Sequence, residues 1–474
     1  MRRKTKPSKK AKARRIRQNL QQDLKRASAF VLMCGVMAAF YAVYRIVLIA
    51  VPSVAVGEDI IHPRHDASIV CGEEEGNHLK DPAPVLSANY QKRVSDQKAL
   101  SSNKIANPSL SDTDPDSGLP TGYNYSNEGP LFHYQAAQET DGSPYLHLAV
   151  DKGASSGTPP AWLPDPVAIE KERTYAYSFQ YRSDVPIHLT LEYSQGWGGG
   201  LHYVDVVTLK PASAWQTFTA HFDNAVEATS FRPIINATGA GFVDTRSFNI
   251  HQIADAELKE GIVSVTFDDG WQSVSNVAKG LLDTYHIRTT QYIISEVANQ
   301  NVVGYMDMGT VMALKKAGHE IGSHSLAHCN QVTLSKADIE MNAVKSKQEL
   351  ERYGLGPVRT FAYPLGQYNE TTQGVYGKVY PLIRTSDAGY NDRYFDETDV
   401  HSMGVLSKTS SSEFRSWLNY AKAHKQWLVI VYHRVNEQGD YNVSRSQLDT
   451  QLRMIRDSGM DVLPMSEAAR QVRK

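Results

Sequence analysis

A long apolar segment over residues 29–56 constrains the topology of this chain more than any other feature. Arg45 is its only charged residue. About 20 apolar residues are enough to cross the hydrocarbon core of a bilayer, and an arginine near one end of a span can extend its charge to the headgroups. We therefore predict a transmembrane anchor over residues 29–56.

The charge distribution predicts the orientation of this anchor. The whole chain has a formal net charge of −1, but residues 1–26 carry 12 Lys and Arg against the single acid Asp23, a balance of +11, and the rest carries −12. By the positive-inside rule, the basic tail over residues 1–28 stays in the cytoplasm. The prediction is a single-pass protein of the cell membrane whose later domains are extracellular or periplasmic.

Three alternatives for the N-terminus are a cleaved signal peptide, a nucleic-acid-binding tail and a buried core helix, which no neighbouring segment is apolar enough to enclose. Residues 53–55 resemble the small-residue site of a cleaved signal peptide, although the apolar run is about twice the usual length. A basic tail can also bind nucleic acid, but beside a membrane span it more often contacts anionic lipid. We expect no nucleic-acid partner.

The next segment, residues 57–120, has the composition of a disordered linker. Tyr90 is its single aromatic residue among many Ser, Asp, Asn and Pro, and such a stretch buries too little apolar surface to fold alone. Cys71 in this segment could pair with Cys329 after export, but two isolated cysteines are more often unpaired.

Residues 121–255 predict an all-β domain. Short runs of alternating apolar and polar residues, such as Tyr145–Val150 and His188–Tyr193, are separated by turn residues, a pattern typical of an antiparallel sandwich. The layout resembles the jelly-roll sandwiches of carbohydrate-binding modules. We expect Trp215 in the core, whereas Trp197 in a glycine-rich loop is a candidate for stacking on a sugar of the substrate.

From residue 256 to 474, strand-like and helix-like segments alternate, which is typical of α/β folds. The buried-type strand Ile262–Phe267 leads directly into Asp268 and Asp269. Polar residues at the carboxyl ends of parallel strands are often catalytic. Adjacent carboxylates repel unless a cation or a proton offsets one of them, so this pair predicts metal binding and proton transfer.

Two further histidine positions complete the chemistry. His324 and His328 have the i, i+4 spacing that places two side chains on one helical face, as in metal-binding pairs. With one carboxylate they form a three-ligand set that leaves room for water and substrate, and the donors suit Zn²⁺, Co²⁺, Ni²⁺ or Fe²⁺. His433 follows another apolar strand and has a pKa suited to general acid catalysis.

These motifs, in this order, resemble the polysaccharide deacetylases (carbohydrate esterase family 4, with the NodB homology domain). The matching stretches are residues 266–270 (Thr-Phe-Asp-Asp-Gly), His324-Ser-x-x-His328, residues 361–366 (Phe-Ala-Tyr-Pro-Leu-Gly) and the strand ending at His433. The resemblance implies a distorted (β/α)7 barrel over residues 256–474, preceded by the jelly-roll-like sandwich and the transmembrane helix.

The resemblance also implies a role for each matching residue. Asp268 corresponds to the general base and His433 to the general acid, while Asp269, His324 and His328 correspond to ligands of a divalent metal, most often Zn²⁺. The backbone N–H of Leu365 corresponds to the oxyanion donor. Further candidates are Ser325, within the histidine loop, Tyr363 and Pro364, all three beside the substrate, and Asp387, which could orient His433.

One departure from the family pattern concerns the base. Family members often have Arg-Pro-Pro-Tyr where this chain has Ala362-Tyr363-Pro364-Leu365, so the arginine beside Asp268 is missing. Arg359 and Arg384 are two possible replacements.

The expected function is metal-dependent deacetylation of an N-acetylglucosamine-containing cell-surface or extracellular polysaccharide. This reaction makes the protein a hydrolase of carbon–nitrogen bonds whose partners are the polymer and the membrane. The alternatives are O-deacetylation of a polymer such as acetylated xylan, which uses the same groups, and a non-catalytic surface protein that binds glycans.

Overall fold

The computed structural model describes residues 86–127, 129–154, 159–195, 200–224 and 228–473. The predicted cytoplasmic tail and anchor, the first half of the predicted linker, and Trp197 lie outside these residues. Within the described ranges, no helix combines the length and apolar character needed to cross a bilayer.

Residues 86–120, predicted as part of a disordered linker, instead pack against the sandwich. Helix α1 (Ala88–Ser95) is capped by the Ser87 hydroxyl, which accepts a hydrogen bond from the backbone N–H of Tyr90. Tyr90, Val94, Ile105 and Leu110 are buried in the same core as the sandwich residues. The composition misleads here because a few apolar residues spaced along an extended segment can be buried by a neighbouring domain, even though they cannot form a core alone.

The sandwich consists of two antiparallel sheets around one hydrophobic core. The first sheet has the order β1-β4-β10-β7-β8, with β5 paired to β10, and the second has the order β2-β3-β11-β6-β9. The strands are β1 (Tyr123–Tyr125), β2 (Phe132–Gln138), β3 (Pro144–Val150), β4 (Ala161–Pro164), β5 (Val167–Ala168), β6 (Thr174–Ser183), β7 (Ile187–Gln195), β8 (Leu201–Leu209), β9 (Ala212–Asp223), β10 (Ala228–Ala237) and β11 (Gly241–Gln252).

Alternation along the strands determines which side chains fill this core. On β7, Ile187, Leu189 and Leu191 belong to the core cluster, as expected from period-2 spacing. Trp215, expected in the core, instead lies partly exposed on the outer face of the second sheet. Its ring packs under the guanidinium groups of Arg246 and Arg182, at 4.0 and 4.8 Å from the ring centroid.

The C-terminal domain is built around a parallel sheet in the order β16-β15-β14-β13-β12-β18-β17, with β21 paired to β12. The strands are β12 (Ile262–Phe267), β13 (Thr290–Ile293), β14 (Glu320–Ser323), β15 (Thr360–Ala362), β16 (Leu382–Arg384), β17 (Met403–Gly404), β18 (Trp427–Tyr432), β19 (Arg434–Val435), β20 (Asn442–Val443) and β21 (Asp461–Val462). The curled parallel sheet fits the expected distorted barrel. In the described part of the chain, no ladder joins β16 to β17, so the barrel stays open there.

Helices flank this sheet. Residues of the π-helical turn Val274–Ala278 and of the helices Lys279–Tyr285, Ser411–Ala423 and Arg445–Asp457 form one apolar cluster with strand residues. The helices are α2 (Lys279–Tyr285), α3 (Ser295–Asn299), α4 (Met308–Lys316), α5 (Lys336–Arg352), α6 (Glu370–Val379), α7 (Ser411–Ala423), α8 (Arg445–Asp457) and α9 (Met465–Val472). The central strands β12 and β18 are buried along their full length, as expected for strands covered on both faces.

The loop between β16 and β17 is fixed by the sandwich and by α1. The carboxylate of Asp396 accepts a hydrogen bond from the backbone N–H of Ser87 at 2.6 Å, and Arg93 forms an ion pair with Glu397. In addition, Nε2 of His221, on β9, lies 2.6 Å from Oδ2 of Asp392. The barrel and the sandwich therefore share one buried polar interface.

Cys329 is disulfide-bonded, contrary to the expectation of unpaired cysteines. The chain has three cysteines in total, and the other two lie outside the described residues.

The buried interface predicts a pH-dependent stability. Burial alone would lower the pKa of His221, but the charge and hydrogen bond of Asp392 outweigh it and raise the pKa. Burial and the charge of Asp392 raise the pKa of Asp223 to about 6. Both groups bind protons more tightly in the folded chain than in the unfolded chain. The free energy of unfolding is therefore expected to fall as the pH rises, through pH 4–6 for Asp223 and above about 6.5 for His221.

Asp392→Asn tests this expectation. It should lower the free energy of unfolding by about 1.5–3 kcal/mol at pH 6, because it removes a hydrogen bond between charged groups, and by less at pH 9. Denaturant titrations at both pH values measure the difference. Asp151→Asn is the control, since the His133–Asp151 pair is half-exposed and should contribute little. An equal loss at both pH values would contradict the assignment to His221.

Candidate active site

The two adjacent carboxylates emerge from β12 in different directions. Asp268 is 3% exposed, and Asp269 has a φ of 70°, a left-handed conformation that a non-glycine residue adopts only where its surroundings hold it. The chain turns sharply at Asp269, and the two carboxylates contact different partners. The repulsion expected from the sequence is relieved in this way.

The two histidines lie in the loop after β14, not on a helix as their spacing predicts. Ser325 and His328 have φ values of 69° and 58°, and the Ser325 hydroxyl accepts a hydrogen bond from the backbone N–H of His328 at 3.0 Å. This tight turn brings both rings to Asp269. Oδ1 of Asp269 lies 3.3 Å from Nε2 of His324 and 3.2 Å from Nε2 of His328.

The three predicted ligands therefore converge, and their surroundings fit a divalent metal. One ligand atom from each of Asp269, His324 and His328 lies within 4.8 Å of the others. Nδ1 of His324 lies 2.9 Å from the backbone carbonyl of Ala362. A hydrogen bond from this nitrogen leaves the Nε2 lone pair directed at the cluster, which is the usual outer support of a metal-bound histidine.

The electrostatics of the cluster also favour a cation. Burial would raise the pKa of Asp269, but the neighbouring rings of His324 and His328 outweigh it and hold the pKa well below its usual range. A carboxylate that stays ionised next to two imidazole nitrogens is a suitable ligand set for a borderline metal such as Zn²⁺.

Trp271 is a site residue that the sequence reasoning missed. Its indole N–H donates to Oδ2 of Asp269 at 2.8 Å, so that both carboxylate oxygens of Asp269 are held. The indole ring stacks on Tyr305, with centroids 4.2 Å apart, and lies under the Arg434 guanidinium. The sequence feature that could have identified Trp271 is its position as an aromatic residue directly after the Asp-Asp-Gly sequence.

Arg384, at the end of β16, contacts the predicted base. Its Nη2 lies 2.5 Å from Oδ2 of Asp268, both side chains are buried, and the guanidinium also lies over the Tyr292 ring. Oδ1 of Asp268 is buried without a hydrogen-bond partner. Of the two arginines considered as replacements, Arg384 contacts Asp268, whereas Arg359 is exposed.

His433 lies in the same cluster. Its Nε2 is 3.8 Å from Oδ2 of Asp268, and burial lowers its pKa despite the two nearby aspartates. Nδ1 of His433 is buried without a hydrogen-bond partner.

Asp387 does not orient His433 as expected. Its carboxylate accepts a hydrogen bond from the Tyr368 hydroxyl at 2.6 Å, and it lies with Asp399 and His401 in a second group of acidic and histidine side chains. The loop after β16 directs Asp387 toward the loop Pro364–Tyr368 instead.

The segment after β15 differs in part from its predicted role. Leu365 has a φ of 59° and an exposed side chain. Tyr363, expected beside the substrate, is buried among Phe361, Tyr368 and Tyr376. Pro364 is also buried.

Ser325 is likewise buried and serves the histidine loop. All three side chains expected beside the substrate are therefore buried. Trp197 lies outside the described residues.

Comparison with known proteins finds a family match over part of this chain. Residues 255–379 match the family model described as polysaccharide deacetylase. A bifunctional xylanase/deacetylase of Pseudobutyrivibrio xylanivorans is 21% identical over 250 residues, which is 52% of this chain and 37% of that protein. A chitin deacetylase of Colletotrichum lindemuthianum is 23% identical over 235 residues, which is 48% of this chain and 90% of that protein.

A solved structure is also similar to this chain. The carbohydrate esterase family 4 domain of a multidomain xylanase from the hindgut metagenome of Trinervitermes trinervoides aligns with a TM-score of 0.33 and 20% identity, covering 44% of this chain and 89% of that domain. The family model and the curated relatives support a polysaccharide deacetylase domain in the C-terminal half of the chain, as the motifs predict.

The Trp271 contact predicts a measurable effect on metal affinity. Trp271→Phe keeps an aromatic ring against Tyr305 and Arg434 but removes the hydrogen bond to Asp269. Loss of such an outer contact typically weakens metal binding about 10–100-fold. Competition for Zn²⁺ with a chelator of known affinity measures the change. Trp417→Phe, on helix α7 and outside the ligand cluster, is the matched control. An unchanged affinity in Trp271→Phe would show that the indole does not support the ligand.

Proposed function

We propose that this protein is a divalent-metal-dependent deacetylase of N-acetylglucosamine-containing polysaccharides. We also propose, from the sequence alone, that an N-terminal anchor holds it in the cell membrane with the barrel outside the cytoplasm. The observation that carries the proposed activity is the convergence of Asp269, His324 and His328 beside a second carboxylate, Asp268, that is held by a buried arginine.

Each residue of the proposed site has a separate role in the reaction. Asp268, fixed through one oxygen by Arg384, is placed to take a proton from the attacking water with its other oxygen. His433 protonates the amine as it leaves, and the backbone N–H of Leu365 stabilises the developing oxyanion. A divalent ion held by Asp269, His324 and His328 would supply a Lewis acid that polarises the acetyl carbonyl.

O-deacetylation is the second candidate. One relative is described as a bifunctional xylanase/deacetylase and another as a chitin deacetylase, and the same groups hydrolyse an ester. An ester needs less assistance from the acid because an alkoxide leaves more readily than an amide anion. The dependence on His433 therefore separates the two activities.

A substrate panel tests the proposal. The full-length chain, purified in mild detergent, should release acetate from N-acetylglucosamine oligomers faster than from acetylated xylan, and a chelator should abolish the release until Zn²⁺ is restored. The double variant Asp269→Ala, His324→Ala is expected to lose the activity. Acetate release that survives this double variant would contradict the metal model, and faster release from xylan would favour the esterase.

Arg384 offers a sharper test of how the base is held. Arg384→Ala should lower kcat about a hundredfold, the cost of a catalytic group misplaced by roughly 1 Å, with little change in KM, because Arg384 contacts Asp268 and a positioning role affects the chemical step. Added guanidinium should restore part of the rate. Arg359→Ala is the matched control, since Arg359 is exposed, and should retain the activity of the unmodified chain. An equal loss in both variants would show that Arg384 has no specific role.

A further inference from the structure

A second group of side chains with metal-ligand chemistry lies in the loop between β16 and β17. One ligand atom from each of Asp387, Asp399 and His401 lies within 4.8 Å of the others. None of the three belongs to the Asp269 ligand set, and the proposed reaction uses none of them. We call Asp387, Asp399 and His401 the loop cluster.

The backbone at both ends of the loop cluster is fixed by hydrogen bonds. The N–H of Ser402 donates to the carbonyl of Asp387 at 2.9 Å. The N–H of His401 donates to the side-chain carbonyl of Asn391 at 3.0 Å, and the Asn391 amide donates back to the His401 carbonyl at 2.9 Å. The two ends of the loop are thus held side by side, and the fold determines the positions of the three side chains.

Hydroxyl groups hold the two carboxylates in place. The buried Tyr368 hydroxyl donates to Oδ2 of Asp387 at 2.6 Å and lies 3.5 Å from Oδ1 of Asp399. The Thr385 hydroxyl donates to the same oxygen of Asp399 at 2.9 Å. Carboxylates that bind metals usually have outer hydrogen bonds of this kind.

The spacing between the ring and the nearest carboxylate suits a shared ion better than a direct contact. Nε2 of His401 lies 3.8 Å from Oδ2 of Asp399, which is too long for a hydrogen bond. Two donors that each lie about 2.0–2.2 Å from one zinc ion are about 3–4 Å apart. The corresponding distances in the Asp269 ligand set are 3.3 and 3.2 Å.

The charges of the loop cluster also favour a divalent cation. Neighbouring carboxylates repel unless a cation or a proton offsets them, and Asp399 is only 5% exposed, so its charge is little screened. His401 is charged only when it is protonated, and one proton offsets one negative charge. A divalent ion offsets both and bonds to the neutral ring. The His401 side chain is 39% exposed, which gives an ion a path into the cluster.

We infer that the loop cluster is a second divalent-metal site, for Zn²⁺ or an ion of similar chemistry, and that this ion closes the loop between β16 and β17. Two carboxylate oxygens and one imidazole nitrogen suit Zn²⁺, whereas Ca²⁺ takes six to eight oxygen ligands. Asp387 lies near the start of the loop, and Asp399 and His401 lie near its end. An ion bound by all three joins the two ends, which stabilises the folded loop.

Metal content and thermal stability of the full-length chain, in mild detergent, test the inference. The background is the double variant Asp269→Ala, His324→Ala, which removes two ligands of the proposed active-site metal. After treatment with a chelator and dialysis against Zn²⁺, adding His401→Ala should remove one equivalent of bound Zn²⁺. Zn²⁺ should raise the Tm of the background but not that of the His401→Ala variant. His133→Ala is the matched control, since His133 also faces an aspartate, Asp151.

A second variant separates loss of the ligand from loss of the fold. Asp387→Asn keeps the size of the side chain and an oxygen that can accept the hydrogen bond from Tyr368. In the same background it should weaken Zn²⁺ binding at least tenfold, the smallest loss expected even for an outer partner of a ligand, while the Tm without metal stays close to that of the background.

The outcomes are independent of the proposed function, because these measurements need no substrate. Failure of the unmodified chain to release acetate would contradict the proposed reaction and would leave the result for the loop cluster intact. A Zn²⁺ content and a Zn²⁺-induced rise in Tm that are the same in the background, His401→Ala and Asp387→Asn would overturn the inference. So would a background that binds no Zn²⁺, since a proton on His401 would then be the only charge that offsets the carboxylates.

Discussion

Two neighbouring carboxylates at the end of a buried strand repel each other, and the architecture of the site depends on how that repulsion is relieved. The left-handed turn at Asp269 sends its side chain to the histidines and Trp271, while Asp268 is neutralised by Arg384. Environments that differ this much give two chemically identical groups different tasks. Asp269 can serve as a permanent anion for a metal, and Asp268 keeps one oxygen free for a proton.

Because Arg384 contacts Asp268, the difference between the environments of the two aspartates depends on parts of the chain that are distant in sequence. Arg384 begins the loop between β16 and β17, and that loop is fixed by Ser87, Arg93 and His221 through Asp396, Glu397 and Asp392. Residues 86–120 and the sandwich thus stabilise the loop that follows Arg384, the residue whose positive charge offsets that of Asp268. The sandwich is therefore a structural partner of the barrel.

The strand-end chemistry could be predicted from the sequence because parallel strands deliver their carboxyl ends to one edge of a sheet. That rule placed Asp268, Asp269, His324 and His433 together without any knowledge of their distances. It could not assign Arg384, because a choice between two arginines depends on the path of a loop. The family resemblance misplaced Tyr363, since burial of a tyrosine is decided by neighbours such as Tyr376 that are distant in sequence.

Several residues of the site have a strained backbone conformation. Asp269, Ser325, His328 and Leu365 all have positive φ, a conformation that costs of order 1 kcal/mol or more per residue unless the surroundings hold it. The contacts that hold it are the chain's own: the Ser325 hydroxyl to the His328 amide, and the His324 ring to the Ala362 carbonyl. Folding of the chain therefore contributes part of the free energy that holds these turns.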